Sequence, residues 1–255
     1  MISPIFLAHG SPMTAIEQSP YTKFLDAYGQ TLHPKAIVIF TAHWESPVLT
    51  VTSTDDVYET IYDFGGFPPE LYAVQYPARG SVSLAERLTR RFEAQGIDVR
   101  KDERRGLDHG SWTLLHRLFP AADIPVVQIS VHPFLPPTQQ LAIGEALRGL
   151  DAEDILIIGS GVTVHNLRMV DWDAVEPTEW AVQFDDWLIE QVQSWDTWKL
   201  DRYRELAPHA VRAVPREEHF VPLFLAMGSS TPDRKPEILH RSYQMGTLSY
   251  LSFSF

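Results

Sequence analysis

Ile37-Val-Ile-Phe-Thr-Ala-His43 is a mostly apolar run that ends in a histidine, and the strand it predicts covers Ala36 to Ala42. Similar apolar runs occur at Pro4 to Ala8, Val126 to Val131 and Ile155 to Ile158. Short runs without polar alternation are typical of strands that are buried on both faces of a sheet. The sequence therefore predicts a buried sheet built around these four strands.

Helical patterns separate the predicted strands. One begins at Pro20, after the N-cap candidate Ser19, and continues to Leu32, and another covers Ser81 to Gln95 and stops at Gly96. The other predicted helices cover Leu135 to Leu150, Thr178 to Trp195, Thr113 to Phe119 and a run from Pro215 to about Gly228. Strands that alternate with helices predict an α/β fold, closed here by a strand within Gly246 to Phe255. No linker or repeat divides the chain, so residues 1–255 are predicted to form one domain.

The composition excludes several classes of protein. The 255 residues include 21 lysines and arginines against 33 aspartates and glutamates, and the net charge of −12 disfavours binding to nucleic acid or to an anionic membrane surface. No stretch approaches the ~20 apolar residues that span a bilayer, and the N-terminus lacks the basic start of a signal peptide, so we expect a soluble, cytoplasmic protein. The chain has no cysteine and ten histidines, so any metal must be held by imidazole and carboxylate groups.

Three of the histidines follow predicted strands. His9 ends the first strand, His43 ends the second, and His165 comes a few residues after the last of the four. The carboxyl ends of parallel strands form the ligand crevice of an open α/β sheet, so these three imidazoles are expected to converge. His132 ends the third strand in the same way, and a role in the site and a role in a loop are equally open for it.

Two further histidines lie in polar turns that open predicted helices. They are His109 in Leu107-Asp-His-Gly-Ser-Trp112 and His219 in Pro215-Arg-Glu-Glu-His-Phe-Val-Pro222. A lone histidine is more often a hydrogen-bonded structural residue than a ligand. That interpretation applies to His33, His116, His209 and His240.

An aromatic loop, Asp63-Phe-Gly-Gly-Phe-Pro-Pro69, follows Tyr62. Its first three residues imitate the metal-binding tripeptide of protein kinases, but the glycine-rich and catalytic loops of a kinase are absent, so this match is a coincidence. The loop suits a wall or lid over a planar ring. Equally, Phe64 and Phe67 can fill the core beneath a glycine turn.

Six motifs, in linear order and nearly from end to end, form one pattern. They are His9-Gly-Ser-Pro12, Ala42-His-Trp44, Asp63-Phe-Gly-Gly-Phe-Pro68, Leu107-Asp-His-Gly-Ser-Trp112, Gly159-Ser-Gly161 with His165-Asn-Leu167, and Glu218-His-Phe-Val-Pro-Leu223. This pattern resembles the DODA-type branch of the class III extradiol ring-cleavage dioxygenases (4,5-DOPA extradiol dioxygenase-like). The resemblance implies one α/β domain over residues 1–255, with a central mixed β-sheet and helices on both faces. It also implies a mononuclear non-haem iron(II) site, in which some relatives carry zinc.

Carried over motif by motif, the resemblance implies that His9, His43 and His219 are metal ligands. His165 matches the acid/base of the wider superfamily and, in DODA-type relatives, lies close enough to be a fourth ligand of zinc. His109 matches a histidine that contacts substrate or oxygen. The third ligand is a histidine where the wider superfamily has a glutamate. An all-histidine set suits Zn(II) as well as Fe(II), so the native metal is left open.

The implied reaction opens the ring of a catechol with O2 and gives a muconic semialdehyde-type product. L-DOPA or a similar 3,4-dihydroxyphenyl compound is the implied substrate. A base must accept a proton from the catechol, and a histidine suits this because its pKa lies near neutrality. We expect His165 to take this role, with His109 orienting the substrate or the oxygen. A zinc-dependent hydrolase and a non-catalytic metal-binding module are the alternatives, and no pattern in the sequence predicts the oligomeric state.

Overall fold

The computed structural model describes all residues, 1–255, and its centre is an eight-stranded sheet. The strands are, in chain order, β1 (Ile5–Ala8), β2 (Ala36–Glu45), β3 (Leu49–Thr52), β4 (Val99–Asp102), β5 (Val126–Val131), β6 (Ile155–Gly161), β7 (Glu237–His240), β8 (Tyr243–Gln244), β9 (Leu248–Ser249) and β10 (Ser252–Ser254). The central sheet has the order β4-β3-β5-β2-β6-β1-β10-β7. The remaining strands, β8 and β9, pair with each other.

Nine α-helices and three short 3-10 segments connect the strands. The helices are α1 (Pro20–Gly29), α2 (Val82–Ala94), α3 (His109–Leu118), α4 (Pro137–Glu145), α5 (Glu179–Gln193), α6 (Thr197–Asp201), α7 (Tyr203–Leu206), α8 (Ala210–Ala213) and α9 (Val221–Gly228). The 3-10 segments are Pro12–Ala15, Pro69–Ala73 and Asp151–Glu153. None of the helices combines the length and the apolar character that crossing a bilayer requires.

The sheet is parallel at its centre, and antiparallel pairs flank this centre on both sides, while the edge strand β4 pairs in parallel with β3. β2 pairs in parallel with β5 and with β6, and β6 pairs in parallel with β1. Antiparallel pairs join β3 to β5 on one side, and β10 to β1 and β7 on the other. The carboxyl ends of the central strands β2, β6 and β1 therefore meet at one edge of the sheet.

Helices cover both faces of this sheet. Successive side chains of a strand point to opposite faces, so Ile37 and Ile39 pack in the cluster that includes α1 and α3. Val38 and Phe40 pack on the other face, in the cluster that includes α2, α4 and α9. Helix α5 covers that second face beside β1. The predicted α/β fold, with a central mixed sheet and helices on both faces, is confirmed.

Several predicted elements have the predicted bounds, and others are shorter. Helix α1 begins after Ser19, whose hydroxyl accepts a hydrogen bond from the backbone N–H of Thr22, and α2 stops before Gly96, which has φ of +73°. The helix predicted over 135–150 is only α4, since residues 146–150 form turns. The predicted closing strand is split into β9 and β10. The strands β3, β4, β7 and β8 were not predicted, because they are short and lie outside the apolar centre of the sheet.

Two histidines of the predicted site stand elsewhere in their elements than predicted. His43 does not end β2, because the strand continues to Glu45, which pairs with Val131 of β5 after a shift in register. His109 is the first residue of α3, which begins four residues earlier than the predicted Thr113. The earlier start follows from Asp108, whose side chain accepts a hydrogen bond from the N–H of Ser111 and caps the helix.

His219 also stands outside the helix predicted for it. The run from Pro215 ends at Gly228, as predicted, but α9 begins only at Val221. His219 lies in the turn that precedes the helix. Glu218, its neighbour in the chain, lies in the same turn.

Candidate metal centre

Three imidazoles meet where the central strands end. His9 follows β1, His43 lies near the end of β2, and His219 precedes α9. One ring nitrogen of each lies within 4.8 Å of those of the other two. Nε2 of His9 and Nε2 of His43 are 3.1 Å apart. The structure thus brings together the three histidines that the sequence motifs assign as metal ligands.

Two glycines of β6 allow the turn that carries His219 to approach. A Cβ added to Gly161 would lie 2.2 Å from the carbonyl oxygen of His219, and one added to Gly159 would lie 2.1 Å from that of Pro222. The close approach lets the N–H of Val162 donate to the carbonyl of His219 over 2.8 Å. The Gly159-Ser-Gly161 motif is therefore a packing site for the third imidazole rather than a phosphate loop.

Each of the three imidazoles is held at its Nδ1 atom by a different side chain. Nδ1 of His9 lies 3.0 Å from Oγ of Ser160, whose own hydroxyl donates to the carbonyl of Gly110. Nδ1 of His43 lies 3.3 Å from Oδ2 of Asp63, and Nδ1 of His219 lies 3.0 Å from Oε1 of Glu218. The three partners are one hydroxyl and two carboxylates, and all of them act as acceptors. Each Nδ1 therefore carries the proton, and each Nε2 presents a lone pair.

The Nε2 atoms fit a metal ion. Nε2 of His219 is buried and has no hydrogen-bond partner, although a buried polar atom without a partner is costly. The facing lone pairs of His9 and His43 repel each other unless a cation or a proton lies between them. Two ligands that are each about 2.1 Å from one ion lie roughly 3 Å apart, close to this spacing. Imidazole donors suit zinc and iron, and hydrogen bonds at the far nitrogen are typical of metal-bound histidines.

His109 lies beside this group and shares a carboxylate with it. Its backbone N–H donates to Oδ1 of Asp63, and its Nδ1 lies 2.9 Å from the same oxygen. The other oxygen of Asp63 holds His43, so one carboxylate fixes both rings, whose centroids are 3.9 Å apart. With Nδ1 occupied, Nε2 is the free nitrogen of His109, which lines the cavity described below.

His165 takes a different position from the three converging imidazoles. Its ring stacks on that of His219, with centroids 3.7 Å apart and an angle of 13° between the planes. One ring nitrogen of His165 lies within 4.8 Å of potential ligand atoms of His219 and Glu218, but His165 does not belong to the group formed by His9, His43 and His219. The backbone N–H of His165 donates to the carbonyl of Ala213, which anchors the ring beside the cavity.

Burial favours the neutral form of four imidazoles of this cluster, those of His9, His109, His165 and His219. It lowers the pKa of His9 and His219 well below the usual value, and the neighbouring imidazoles lower it further. Burial likewise lowers the pKa of His165, to about 4, with smaller contributions from His43 and His109. Burial also lowers the pKa of His109, although Asp63 opposes the shift. Neutral imidazole is the form that binds a metal or accepts a proton.

The two carboxylates behind the rings differ in charge preference. Burial opposes ionisation of Asp63, but the hydrogen bonds with His109 and His43 outweigh it and hold the pKa of Asp63 well below its usual range. Burial raises the pKa of Glu218, and the backbone hydrogen bond and Arg216 offset only part of the shift. Asp63 is therefore negatively charged at neutral pH, and it lies beside two imidazoles.

A cavity of about 410 Å³ opens onto the cluster. Five histidines form its floor, namely His9, His43, His109, His165 and His219. Phe64 and Phe67 of the aromatic loop line one wall, and the Phe64 ring meets the His109 ring edge to face with centroids 5.6 Å apart. Both phenylalanines also pack against the core, so the two alternatives for this loop are both realised.

The other five histidines lie outside the cluster. His132 is half-buried at the end of β5, where its Nδ1 accepts a hydrogen bond from the N–H of Phe134, and it does not line the cavity. This placement favours a loop role. The four histidines interpreted as structural are His33, His116, His209 and His240. None of them belongs to a group of three potential metal ligands.

The sequence patterns predicted no supporting role for two residues that contact the cluster, Asp63 and Ser160. Asp63 was set aside with its kinase-like tripeptide, although it is the first residue of a conspicuous motif. Ser160 stands between two glycines, and its contact with His9 depends on the parallel pairing of β6 with β1. A polar residue inside an otherwise apolar strand is the signal that could have indicated Ser160.

Comparisons with known proteins agree over the whole length of the chain. The family of the catalytic LigB subunit of aromatic ring-opening dioxygenase matches residues 3–255. A protein named 4,5-DOPA dioxygenase extradiol from Beta vulgaris is 41% identical and covers 98% of this chain and 95% of its own length. A protein of the same name from Escherichia coli (strain K12) is 37% identical, with 97% and 92% covered. The crystal structure of an uncharacterized protein from Escherichia coli K12 superposes with a TM-score of 0.85 at 32% identity and covers 100% of both chains.

Proposed function

Because the chain belongs to the family of the catalytic LigB subunit of aromatic ring-opening dioxygenase, we propose that it opens the ring of a catechol at a metal held by His9, His43 and His219. The chain is an extradiol dioxygenase, an oxidoreductase that cleaves an aromatic ring. The metal, the substrate and the roles of single residues are the proposed part. The observation that carries them is the convergence of one ring nitrogen from each of three imidazoles, each of which has its Nδ1 atom beside a side-chain oxygen.

Iron(II) is the metal we propose for the reaction. Zinc suits the same donors, but it has no redox chemistry, and the reaction transfers electrons from the catechol to O2. Iron(II) supplies that electron transfer when it is bound. Three protein ligands leave coordination positions open, as ring opening requires.

His165 and His109 are the residues we propose for proton transfer and orientation. His165 lines the cavity, stacked on His219, and its neutral ring is suited to accept a proton from a catechol hydroxyl and to return one later. His109 presents Nε2 towards the cavity because Asp63 holds its Nδ1, so it can orient the substrate or O2. Since His165 lies outside the group of His9, His43 and His219, its proposed role is acid/base rather than ligand.

The proposed substrate is a 3,4-dihydroxyphenyl compound, L-DOPA or a similar small catechol. The names of the relatives from Beta vulgaris and Escherichia coli support this choice. The ring opens beside the diol, and both atoms of O2 enter the product, a muconic semialdehyde-type compound. The catechol supplies all the electrons, so no further reductant is needed.

Anaerobic reconstitution tests the proposal. The metal-free protein is loaded with Fe(II) or, in a matched sample, with Zn(II), and each metal content is measured. A panel of catechols is then added, followed by air, and the oxygen uptake and the yellow ring-fission product are recorded. We expect uptake and product with iron only. No uptake across the panel at full iron loading would refute the proposed reaction and favour a hydrolase or a non-catalytic metal-binding module.

A further inference from the structure

We propose that the catechol this site prefers carries an uncharged, apolar substituent rather than an α-amino acid tail. This inference rests on the proposed function and names the substrate class within it. The cavity of about 410 Å³ lies in the range that holds a drug-sized ligand, so it has room for a substituent beyond the catechol ring.

The space above the histidine floor is walled by apolar side chains from separate segments. Met13 comes from the 3-10 segment after β1, and Met245 comes from the turn between β8 and β9. The loop after β6 contributes Leu167, Val170 and Trp172. A ring whose oxygens face the histidines must therefore extend its substituent among thioether, aliphatic and aromatic groups.

No lysine, arginine, aspartate or glutamate lines this cavity. The nearest carboxylates are already engaged, since Asp63 binds two imidazoles and Glu218 binds His219. The cation beside Glu218 is Arg216, which is already paired with Glu45. Its Nη2 atom lies 3.0 Å from Oε1 and 2.8 Å from Oε2 of that carboxylate. Among the residues that line the cavity, neither the ammonium nor the carboxylate of an amino acid would therefore find an ionic partner of opposite charge.

The loop after β6 separates its charged residues from its apolar residues. Arg168 and Asp171 are exposed and do not line the cavity, whereas their neighbours Leu167 and Trp172 do. These two apolar side chains are 62% and 76% exposed, so they are largely open to water at the mouth of the cavity. An apolar substituent that covers them removes apolar surface from water, which favours binding.

A charged tail in the same place loses hydration without gaining a partner. Burial of an ionic group without compensating hydrogen bonds is unfavourable, and sites discriminate strongly when a polar group is left unpaired. L-DOPA and 4-propylcatechol have the same ring and a chain of three carbons, and they differ in the ammonium and the carboxylate. The pair therefore isolates the effect of charge.

Two measurements on this pair test the inference. Dissociation constants for Zn(II)-loaded protein, measured by calorimetry, report binding without turnover, and kcat/KM of the Fe(II)-loaded protein reports the reaction. We expect 4-propylcatechol to be favoured over L-DOPA by about tenfold or more in both. Equal or tighter binding of L-DOPA would overturn the inference and leave the proposed function intact. Failure to open any catechol of the panel would refute the proposed function, whereas the binding ratio would still test the inference.

A charge introduced at the mouth gives a second test. Leu167→Arg places a cation beside the substituent, and Val175→Arg places the same cation on the same loop at a side chain that is 93% exposed and does not line the cavity. The probe is 3-(3,4-dihydroxyphenyl)propionate, in which a carboxylate replaces the terminal methyl group of 4-propylcatechol. Relative to 4-propylcatechol, we expect its binding to improve about tenfold in Leu167→Arg and to stay unchanged in Val175→Arg. An equal response of the two variants would contradict an apolar mouth lined by Leu167.

Discussion

At the scale of single residues, the site depends on where each imidazole carries its proton. Ser160, Asp63 and Glu218 each accept a hydrogen bond from an Nδ1 atom, so the Nε2 atoms are left to a metal. Such supporting contacts fix the orientation of a ligand as well as its tautomer. The distinction between ligand and support therefore predicts different consequences for substitutions that are only a few ångströms apart.

The ligand assignment predicts a contrast between two histidines of the same cavity. His9→Ala removes one of the three converging imidazoles and should abolish metal retention through dialysis. His109→Ala removes a ring that is not in that group of three, so it should retain the metal while losing activity. Elemental analysis of the dialysed variants measures both. Loss of metal from His109→Ala as complete as that from His9→Ala would show that the division is wrong.

Asp63 gives a second prediction at this scale. Asp63→Asn weakens the contacts that hold His43 and His109, so we expect the metal affinity or kcat/KM to fall by about 10- to 100-fold without unfolding. Asp98→Asn is the matched control, because it removes the same charge from an exposed position away from the site. Steady-state kinetics with measured metal content tests this, and wild-type values for Asp63→Asn would contradict a supporting role.

The sequence was informative about the proposed ligands and poor about the residues that support them. His9, His43 and His219 stand in motifs with distinctive neighbours, so each could be assigned without coordinates. Asp63 and Ser160 act through contacts with residues that are distant in the chain, and such contacts depend on strand register and loop packing. Local patterns contain neither.

At the scale of elements, the parallel strands position His9 and His43, and the glycines of β6 set the distance of His219, the third proposed ligand. The strand pattern predicted that His9 and His43 converge. The prediction is correct because β1, β6 and β2 are adjacent and parallel in the structure. The edge strands could not be predicted in the same way. Strand β4, for example, is Val-Arg-Lys-Asp and becomes a strand only through its pairing with β3.

Gly161 provides the prediction for this scale. A Cβ at this position would lie 2.2 Å from the carbonyl oxygen of His219, so Gly161→Ala must displace the backbone turn that carries the third ligand. We expect a loss of about 1–3 kcal/mol of unfolding free energy and weaker metal binding. Gly65→Ala is the control, because an added Cβ there meets no atom within 4 Å. Urea unfolding and metal titration measure the effects, and a Gly161→Ala variant as stable and as well metallated as Gly65→Ala would contradict the packing argument.

At the scale of the whole molecule, the proposed metal joins segments from opposite ends of the chain. His9 lies near the N-terminus and His219 near the C-terminus. The chain between these two histidines contributes core residues to both faces of the sheet. A ligand that binds only the folded chain stabilises it by mass action. Metal binding should therefore stabilise the fold as a whole rather than one loop.

Thermal unfolding tests this coupling. A divalent metal at about 100 times its Kd should add roughly 2.7 kcal/mol and raise Tm by several degrees. The increase should vanish in His219→Ala and persist in His132→Ala, since His132 lies outside the cluster. Calorimetric scans with Zn(II) measure it. A persisting increase in His219→Ala, or its loss in His132→Ala, would place the metal elsewhere.

The most direct test of the central claim is the mass balance of one reaction. Protein loaded anaerobically with Fe(II) is mixed with a catechol and a measured amount of O2, and the O2 consumed and the product formed are quantified by electrode and mass spectrometry. We predict one O2 consumed for each catechol opened, and a product whose mass is the sum of the two, without added reductant. Consumption of O2 without this product, or no consumption by fully loaded protein, would contradict the claim that the three-histidine centre supports extradiol ring cleavage.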